Sequence, residues 1–155
     1  MLVTHPFEPI FDRNSKILIL GSLPSVRSRA DGFYYSHPQN RFWKLMARLF
    51  QTDIPQTIED KKSFLLRHGI ALWDVIASCE IENSADSTIR NAIPNDLSRI
   101  FEKADIRSIY TNGKTADKLY RKYNQREAVC LPSTSPANAA WTIEKLESTW
   151  KVILP

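Results

Sequence analysis

The chain has 155 residues, of which 43% are hydrophobic, 25% charged and 10% aromatic. That is enough for one domain, residues 1–155, able to bury about 70% of its unfolded surface, and the mixture excludes disordered, collagenous and fibrous classes. Lys and Arg number 21 against 17 Asp and Glu, a formal charge of +4; the surplus favours a polyanionic partner but suits many soluble enzymes equally.

Taken in chain order, Lys16–Ser22 (KILILGS) reads as the first strand, apolar almost throughout, as in a parallel sheet covered on both faces. Arg41–Phe50 then reads as a helix, with Phe42, Leu45, Met46 and Leu49 on one stripe. Ile58–His68 is a second helix, capped by Thr57 with Asp60 three residues on and stopped by Gly69. Ile70–Ala77 (IALWDVIA) is a strand, Asp96–Lys103 a helix after Pro94-Asn95, and Ile106–Thr111 a strand. Lys114–Tyr123 is a helix, Ala128–Pro132 the fourth strand and Thr142–Trp150 a closing helix. Strands alternating with helices predict an open α/β sheet with helices on both faces. In such sheets functional groups collect at the carboxyl ends of the strands.

After the first strand come Gly21-Ser22-Leu23-Pro24-Ser25, Arg27 and then Gly32-Phe33-Tyr34-Tyr35-Ser36-His37-Pro38-Gln39-Asn40-Arg41-Phe42-Trp43. Neither the Walker loop nor the GxGxxG spacing is present, which argues against an ATPase or a dinucleotide-dependent oxidoreductase. Aromatic rings beside an amide are what a site needs to stack on a nucleobase and bond its edge. Read structurally, the same residues start an amphipathic helix, with Asn40 as its cap. Thr111-Asn112-Gly113-Lys114 follows the third strand and places an amide at the rim of the sheet, although asparagine is also a routine turn residue. Pro132-Ser133-Thr134-Ser135-Pro136 follows the fourth strand, a stiff turn whose donors suit phosphate oxygens or a helix cap.

Other classes drop out. His5, His37 and His68 lack metal-ligand spacing, no Ser-His-Asp triad is evident and Asp74 has no evident partner. Two cysteines, Cys79 and Cys130, are too few for a disulfide framework or a four-thiolate metal site and point to the reducing cytosol. No apolar run approaches the roughly 20 residues that span a bilayer. The start, MLVTHPFEPIF, also lacks the features of a signal peptide.

With these segments in place, the chain resembles the uracil-DNA glycosylase superfamily, above all its mismatch-specific branch and the related hypoxanthine (deoxyinosine) DNA glycosylases. GSLPS at 21–25, GFYYSHPQNRFW at 32–43, TNG at 111–113 and STSPAN at 133–138 carry the likeness, in the family's order and over nearly the whole chain. NRFW is shared with the mismatch branch; the fuller YYSHPQNRFW and STSPAN resemble the hypoxanthine group. The resemblance implies a three-layer α/β/α fold with a short four-stranded parallel sheet in the order 2-1-3-4. It also implies a monofunctional, monomeric glycosylase, free of metal and organic cofactor, that acts on DNA containing a deaminated base. In the mismatch branch a carboxamide sits in the first motif, where this chain has Leu23. That departure weakens a uracil-only reading and shifts the work to Asn40 or Asn112.

Cleaving an N-glycosidic bond dissociatively leaves an oxocarbenium-like sugar and an anionic base. Neutral amides can position water and stabilise that base without a covalent nucleophile. On this reading Asn112 reads the base's pairing edge, Asn40 positions water or contacts the base, and Phe42 stacks on it. Tyr34 or Tyr35 closes a pocket bordered by Ser22 and Leu23. Ser25, Arg27, Lys114, Ser133, Thr134, Ser135 and Pro136 meet the DNA backbone or fill the gap left by the everted base. Other readings are a non-catalytic nucleic-acid-binding domain, a mismatch-specific uracil glycosylase and an enzyme of free nucleosides.

Overall fold

The structure is a computed structural model that describes residues 2–4, 7–23, 26–80 and 89–155. A short strand, β1 (Leu2–Thr4), precedes the central strand β2 (Ile17–Gly21). Leu18, Ile19 and Leu20 of β2 are fully buried, so both faces of this strand are covered. α1 (Val26–Asp31), α2 (Phe42–Phe50) and α3 (Ile58–Arg67) lead to β3 (Ile70–Asp74). β4 (Ile76–Glu80), β5 (Arg90–Pro94) and α4 (Ser98–Phe101) lead on to β6 (Ser108–Asn112). The chain closes with α5 (Lys114–Tyr123), β7 (Val129–Leu131), α6 (Ile143–Trp150) and a 3-10 turn (Lys151–Ile153).

The main sheet is parallel and four-stranded, in the order β3-β2-β6-β7. Numbered among themselves, these strands give the expected 2-1-3-4. From β2 the chain crosses one way to β3, and from β6 the other way to β7. Right-handed crossovers in opposite directions put their helices on opposite faces. Contacts agree: α2 meets α6 through Phe42 and Trp150 and through the Arg48–Glu147 ion pair. On the other side, Tyr123 of α5 donates to the Ala92 carbonyl, and Arg126 lies over the Phe101 ring of α4. Helices therefore cover both sheet faces.

Local signals explain the element ends. Thr57 accepts a hydrogen bond from the Asp60 amide at 3.0 Å and caps α3. Gly69, at φ +70°, stops α3, and its carbonyl accepts from Lys16 N (2.8 Å) and Ile17 N (3.2 Å). That contact sets the start of β2 beside β3, in register from Ile17 opposite Ile70 to Gly21 opposite Asp74.

Ile70–Ala77, expected as one strand, is two. At Val75 the chain leaves the parallel sheet, and β4 joins a separate antiparallel sheet, β1-β4-β5. Asn95 brackets the junction, its Nδ2 donating to the carbonyls of Asp74 (2.9 Å) and Ile76 (3.2 Å). An unbroken apolar run serves both sheets, so its pattern gives no sign of the break. No helix among the described residues is long and apolar enough to cross a membrane.

His68 closes α3 between the rings of Phe50 and Phe64, at centroid distances of 4.2 and 4.6 Å, with its Nε2 buried and without a hydrogen-bond partner among the described residues. Burial, aided by the neighbouring Arg67 charge, lowers its pKa below the usual 6.5. The fold therefore prefers the neutral ring. Its stabilising contribution is complete above the unfolded pKa and is lost as pH falls through the window below about 6.5. Urea midpoints should fall between pH 7.5 and 5, and His68→Phe should flatten that part of the profile.

Candidate active site

Three loops meet at the carboxyl ends of the parallel strands, and a threonine joins them. Thr134 is fully buried. Its backbone N–H donates to Asn112 Oδ1 (3.0 Å), and its Oγ1 accepts from Asn112 Nδ2 (3.0 Å). The same hydroxyl donates to Asn40 Oδ1 (2.9 Å), which also accepts from the Phe42 amide (3.0 Å). Because backbone N–H groups can only donate, these bonds settle which amide atom is oxygen in both asparagines.

The bonds also define what remains free. Both lone pairs of Asn40 Oδ1 are taken, and its Nδ2 has no hydrogen-bond partner among the described residues. Asn112 gives Thr134 the edge on which its oxygen and one amide hydrogen lie side by side. Reading a base's carbonyl and ring N–H together needs that same edge, so the expected two-point reading by Asn112 does not hold. The other N–H of Asn112 lies on the side of the Tyr35 hydroxyl. The two amides thus form an array of N–H donors.

The aromatic residues divide. Tyr34 is buried: its hydroxyl donates to the Glu8 carbonyl (2.9 Å), and its ring packs edge-on against Phe7 and Phe33. It belongs to the core and does not close a pocket. Phe42 is also fully buried, with Tyr35 stacked on it at 4.3 Å and 21°. Direct stacking of Phe42 on a base is therefore corrected: Phe42 backs the ring of Tyr35. A left-handed backbone at Tyr35, φ +53°, separates the two tyrosines, a strained conformation for a residue with a Cβ.

Asp74, for which the sequence offers no evident partner, sits beneath this layer at the end of β3, 2% exposed. Its register partner is Gly21, where an added Cβ would lie 2.3 Å from Asp74 Oδ1 and 2.9 Å from the Tyr35 hydroxyl. That hydroxyl is buried and makes no well-formed hydrogen bond among the described residues, although the Asn112 amide lies beside it and opposes the rise in its pKa. Burial first, and then the Asp74 charge, hold it protonated far above the ordinary tyrosine range. The available signal was an acid closing an otherwise apolar strand, IALWD.

Arg41 is the other residue missed. Its guanidinium donates to the carbonyls of Thr134 (3.4 Å), Ser135 (3.0 Å), Asn138 (3.1 Å) and Trp141, and its backbone N–H donates again to Thr134 O (3.1 Å). This clasp holds the 134–141 loop against the Asn40 turn. Within the loop, the Ser133 and Ser135 hydroxyls accept from the amides of Ser135 and Ala137, both at 3.1 Å, and keep their hydrogens to donate. Pro136, after Ser135, is half-buried, and Lys114 stands exposed at the first residue of α5. Ser22 and Leu23 form the half-buried turn after β2, with Leu23 packed on the core. Ser25 and the Arg27 side chain lie outside the described residues. No group of three His, Cys, Asp or Glu among the described residues is placed to hold a metal ion.

Comparison with known proteins identifies the family. The profile of the uracil DNA glycosylase superfamily matches residues 8–154. The chain belongs to the uracil DNA glycosylase superfamily. It is 35% identical to a hypoxanthine DNA glycosylase of Methanosarcina acetivorans, over 98% of both chains. A hypoxanthine DNA glycosylase of Methanosarcina barkeri is 31% identical over 93% of each. The solution NMR structure of a Methanosarcina acetivorans protein proposed to be a uracil DNA glycosylase superposes with a TM-score of 0.79, at 33% identity and 98% coverage of both chains. Within this superfamily member, the described residues of the four motifs that carried the resemblance line the ends of β2, β6 and β7 and the turn before α2.

Thr134→Val removes the hydroxyl that joins the two asparagines and leaves buried amide groups unpaired, at about 1–3 kcal/mol. Thermal unfolding should show a loss of roughly 2–4 °C per kcal/mol, and Thr134→Ser should restore most of it. Gly21→Ala forces Asp74 or Tyr35 aside and should lower stability by about 1–3 kcal/mol, read in the same experiment.

Proposed function

We propose that this chain is a monofunctional DNA glycosylase that hydrolyses the N-glycosidic bond of deoxyinosine and releases hypoxanthine. The observation that carries the reading is the Asn40–Thr134–Asn112 chain, which joins two side-chain amides at the carboxyl ends of the sheet and so supports a cluster of N–H donors there. The names of its relatives supply the substrate class.

In the reaction the C1′–N9 bond breaks with its electron pair going to the base. Water adds its oxygen to C1′ and loses a proton to the base or solvent. Charge on the departing purine spreads to O6 and the ring nitrogens. Preorganised N–H donors from Asn40 and Asn112 stabilise that charge more than they stabilise the neutral base, which is the condition for catalysis. The array also selects. Hypoxanthine offers a carbonyl acceptor where adenine offers an amino donor, so adenine would set donor against donor. Guanine shares the carbonyl, and its exclusion falls to the space around C2. Tyr35, backed by Phe42, supplies the ring face for the everted base, and the Ser133–Pro136 turn with Lys114 meets the strand's phosphates.

Leu23 stands where the mismatch branch has a carboxamide, which supports hypoxanthine ahead of uracil. The two cysteines are free thiols, buried Cys79 and exposed Cys130, and suit a reducing compartment such as the cytosol.

Single-turnover excision on a duplex panel of hypoxanthine, uracil, xanthine and adenine tests the reading. Hypoxanthine should be released and adenine retained, with Asn112→Ala and Asn40→Ala each slowed by about 10²–10³. Binding without abasic-site formation on any lesion would leave a non-catalytic DNA-binding domain. Turnover of free deoxyinosine at the duplex rate would indicate a nucleoside enzyme.

A further inference from the structure

A cleft of about 510 Å3 borders the amide pair between the start of α5 and the loop after β7. Its lining includes Asn112, Lys114, Thr115, Ser133, Asn138 and Trp141. The volume lies within the roughly 300–1,000 Å3 of small-molecule sites.

Trp141 is unlike the other three tryptophans. Trp43, Trp73 and Trp150 are at most 5% exposed, and each donates its indole N–H to a backbone carbonyl, of Tyr34 (3.1 Å), Phe7 (3.3 Å) and Pro132 (2.9 Å). Trp141 is half-buried, rests partly on the core and makes no indole hydrogen bond among the described residues. Its backbone is nonetheless pinned: the carbonyl accepts from Arg41, and the amide donates to Asn138 O at 3.1 Å. A flat ring on a fixed backbone loses little freedom when something stacks on it.

The groups around that ring match a nucleotide. Lys114 offers a cation at the amino end of a ten-residue helix, and Thr115 and Ser133 offer hydroxyl donors. Asn138 spends Nδ2 on Ser133 O (3.0 Å) and keeps its amide oxygen as an acceptor. Asn112 lines this cleft and also belongs to the donor array, so the two sites are continuous.

We propose that this cleft receives the nucleotide adjoining the excised one on the same strand, with its base laid on Trp141 and its phosphate against Lys114 and the first turn of α5. The inference rests on the glycosylase reading, because a neighbour exists only if the base site holds a nucleotide of a strand. It predicts a dependence on the flanking base that the donor array alone does not produce.

The test measures binding of hypoxanthine duplexes in which the nucleotide on the 5′ or the 3′ side of the lesion carries a base or a base-free tetrahydrofuran. In the wild type, removing the base on one of these sides should weaken binding about 5- to 100-fold. In Trp141→Ala the same removal should have no further effect, and Trp141→Phe, which keeps a ring, should recover most of the dependence. DNA should also quench the wild-type tryptophan emission, and Trp141→Phe should lose that quench. Equal losses on both duplexes in Trp141→Ala, or an emission that DNA leaves unchanged, would overturn the inference. Hypoxanthine release by the wild type is scored separately, so failure of the glycosylase reading shows in excision and failure of this site in the flanking-base coupling.

Discussion

One buried hydroxyl organises the functional end of this molecule. Thr134 Oγ1 receives a hydrogen from Asn112 and gives one to Asn40, joining residues 94 and 22 positions away in the chain. A threonine hydroxyl does both at once because it is donor and acceptor together. Valine would fill the space and break the relay; an asparagine would be too large for a position with no exposure. Holding Thr134 there requires the loop that bears it to stay closed, and Arg41 meets that requirement. Its guanidinium gathers four carbonyls of the 134–141 loop, so its charge is spent on backbone rather than on a carboxylate. A cation meeting several carbonyl dipoles is strongly bonded without drawing an acid into the site.

The sheet contributes the rest through register. Pairing of β2 with β3 brings Gly21 against Asp74, and pairing of β6 with β7 sets Asn112 opposite Leu131, a few residues before Thr134. A side chain at Gly21 would occupy the space shared by Asp74 and the Tyr35 hydroxyl. Packing around Tyr35 therefore carries a glycine, a left-handed turn and a buried phenol without a well-formed hydrogen bond among the described residues, three local costs at one place. Such costs concentrate where function demands a particular arrangement.

Much of the fold was legible because its signals are local. KILILG announces a doubly covered strand, Thr57 and Gly69 bracket α3, and the stripe of Phe42, Leu45, Met46 and Leu49 is the buried face of α2. The antiparallel sheet was not legible: β1 spans three residues, β5 (RNAIP) carries Arg90, Asn91 and Pro94, and pairing with β4 rather than propensity makes them strands. Short, polar α1 (VRSRAD) has no apolar stripe to read. Asn40, Asn112 and Thr134 stood out in the sequence as loop residues at strand ends. Their mutual bonding did not, because nothing local reveals that Thr134 takes the bidentate edge of Asn112. Arg41 and Trp141 were hidden for a related reason: their partners are backbone carbonyls and a cleft, which carry no residue signature.

The saturation of Asn40 Oδ1 bears on how such a site can work. An amide oxygen with both lone pairs occupied cannot draw a proton from water, so Asn40 offers a nucleophile no basic assistance in this arrangement. In the proposed mechanism its contribution is therefore confined to its N–H groups, as is that of Asn112, whose oxygen is held by the Thr134 amide. A donor array of this kind favours a transition state in which the base has largely departed with its electron pair, since it then faces a full negative charge. A barrier lowered on the leaving-group side asks little of the water, which meets an already electron-deficient sugar. Within the glycosylase reading, the absence of a basic triad follows from where the chain has placed its hydrogen bonds. Rigidity is the corresponding requirement, because donors help only if they already point at the place where charge will appear. Thr134 and Arg41 provide that rigidity from two sides of one loop.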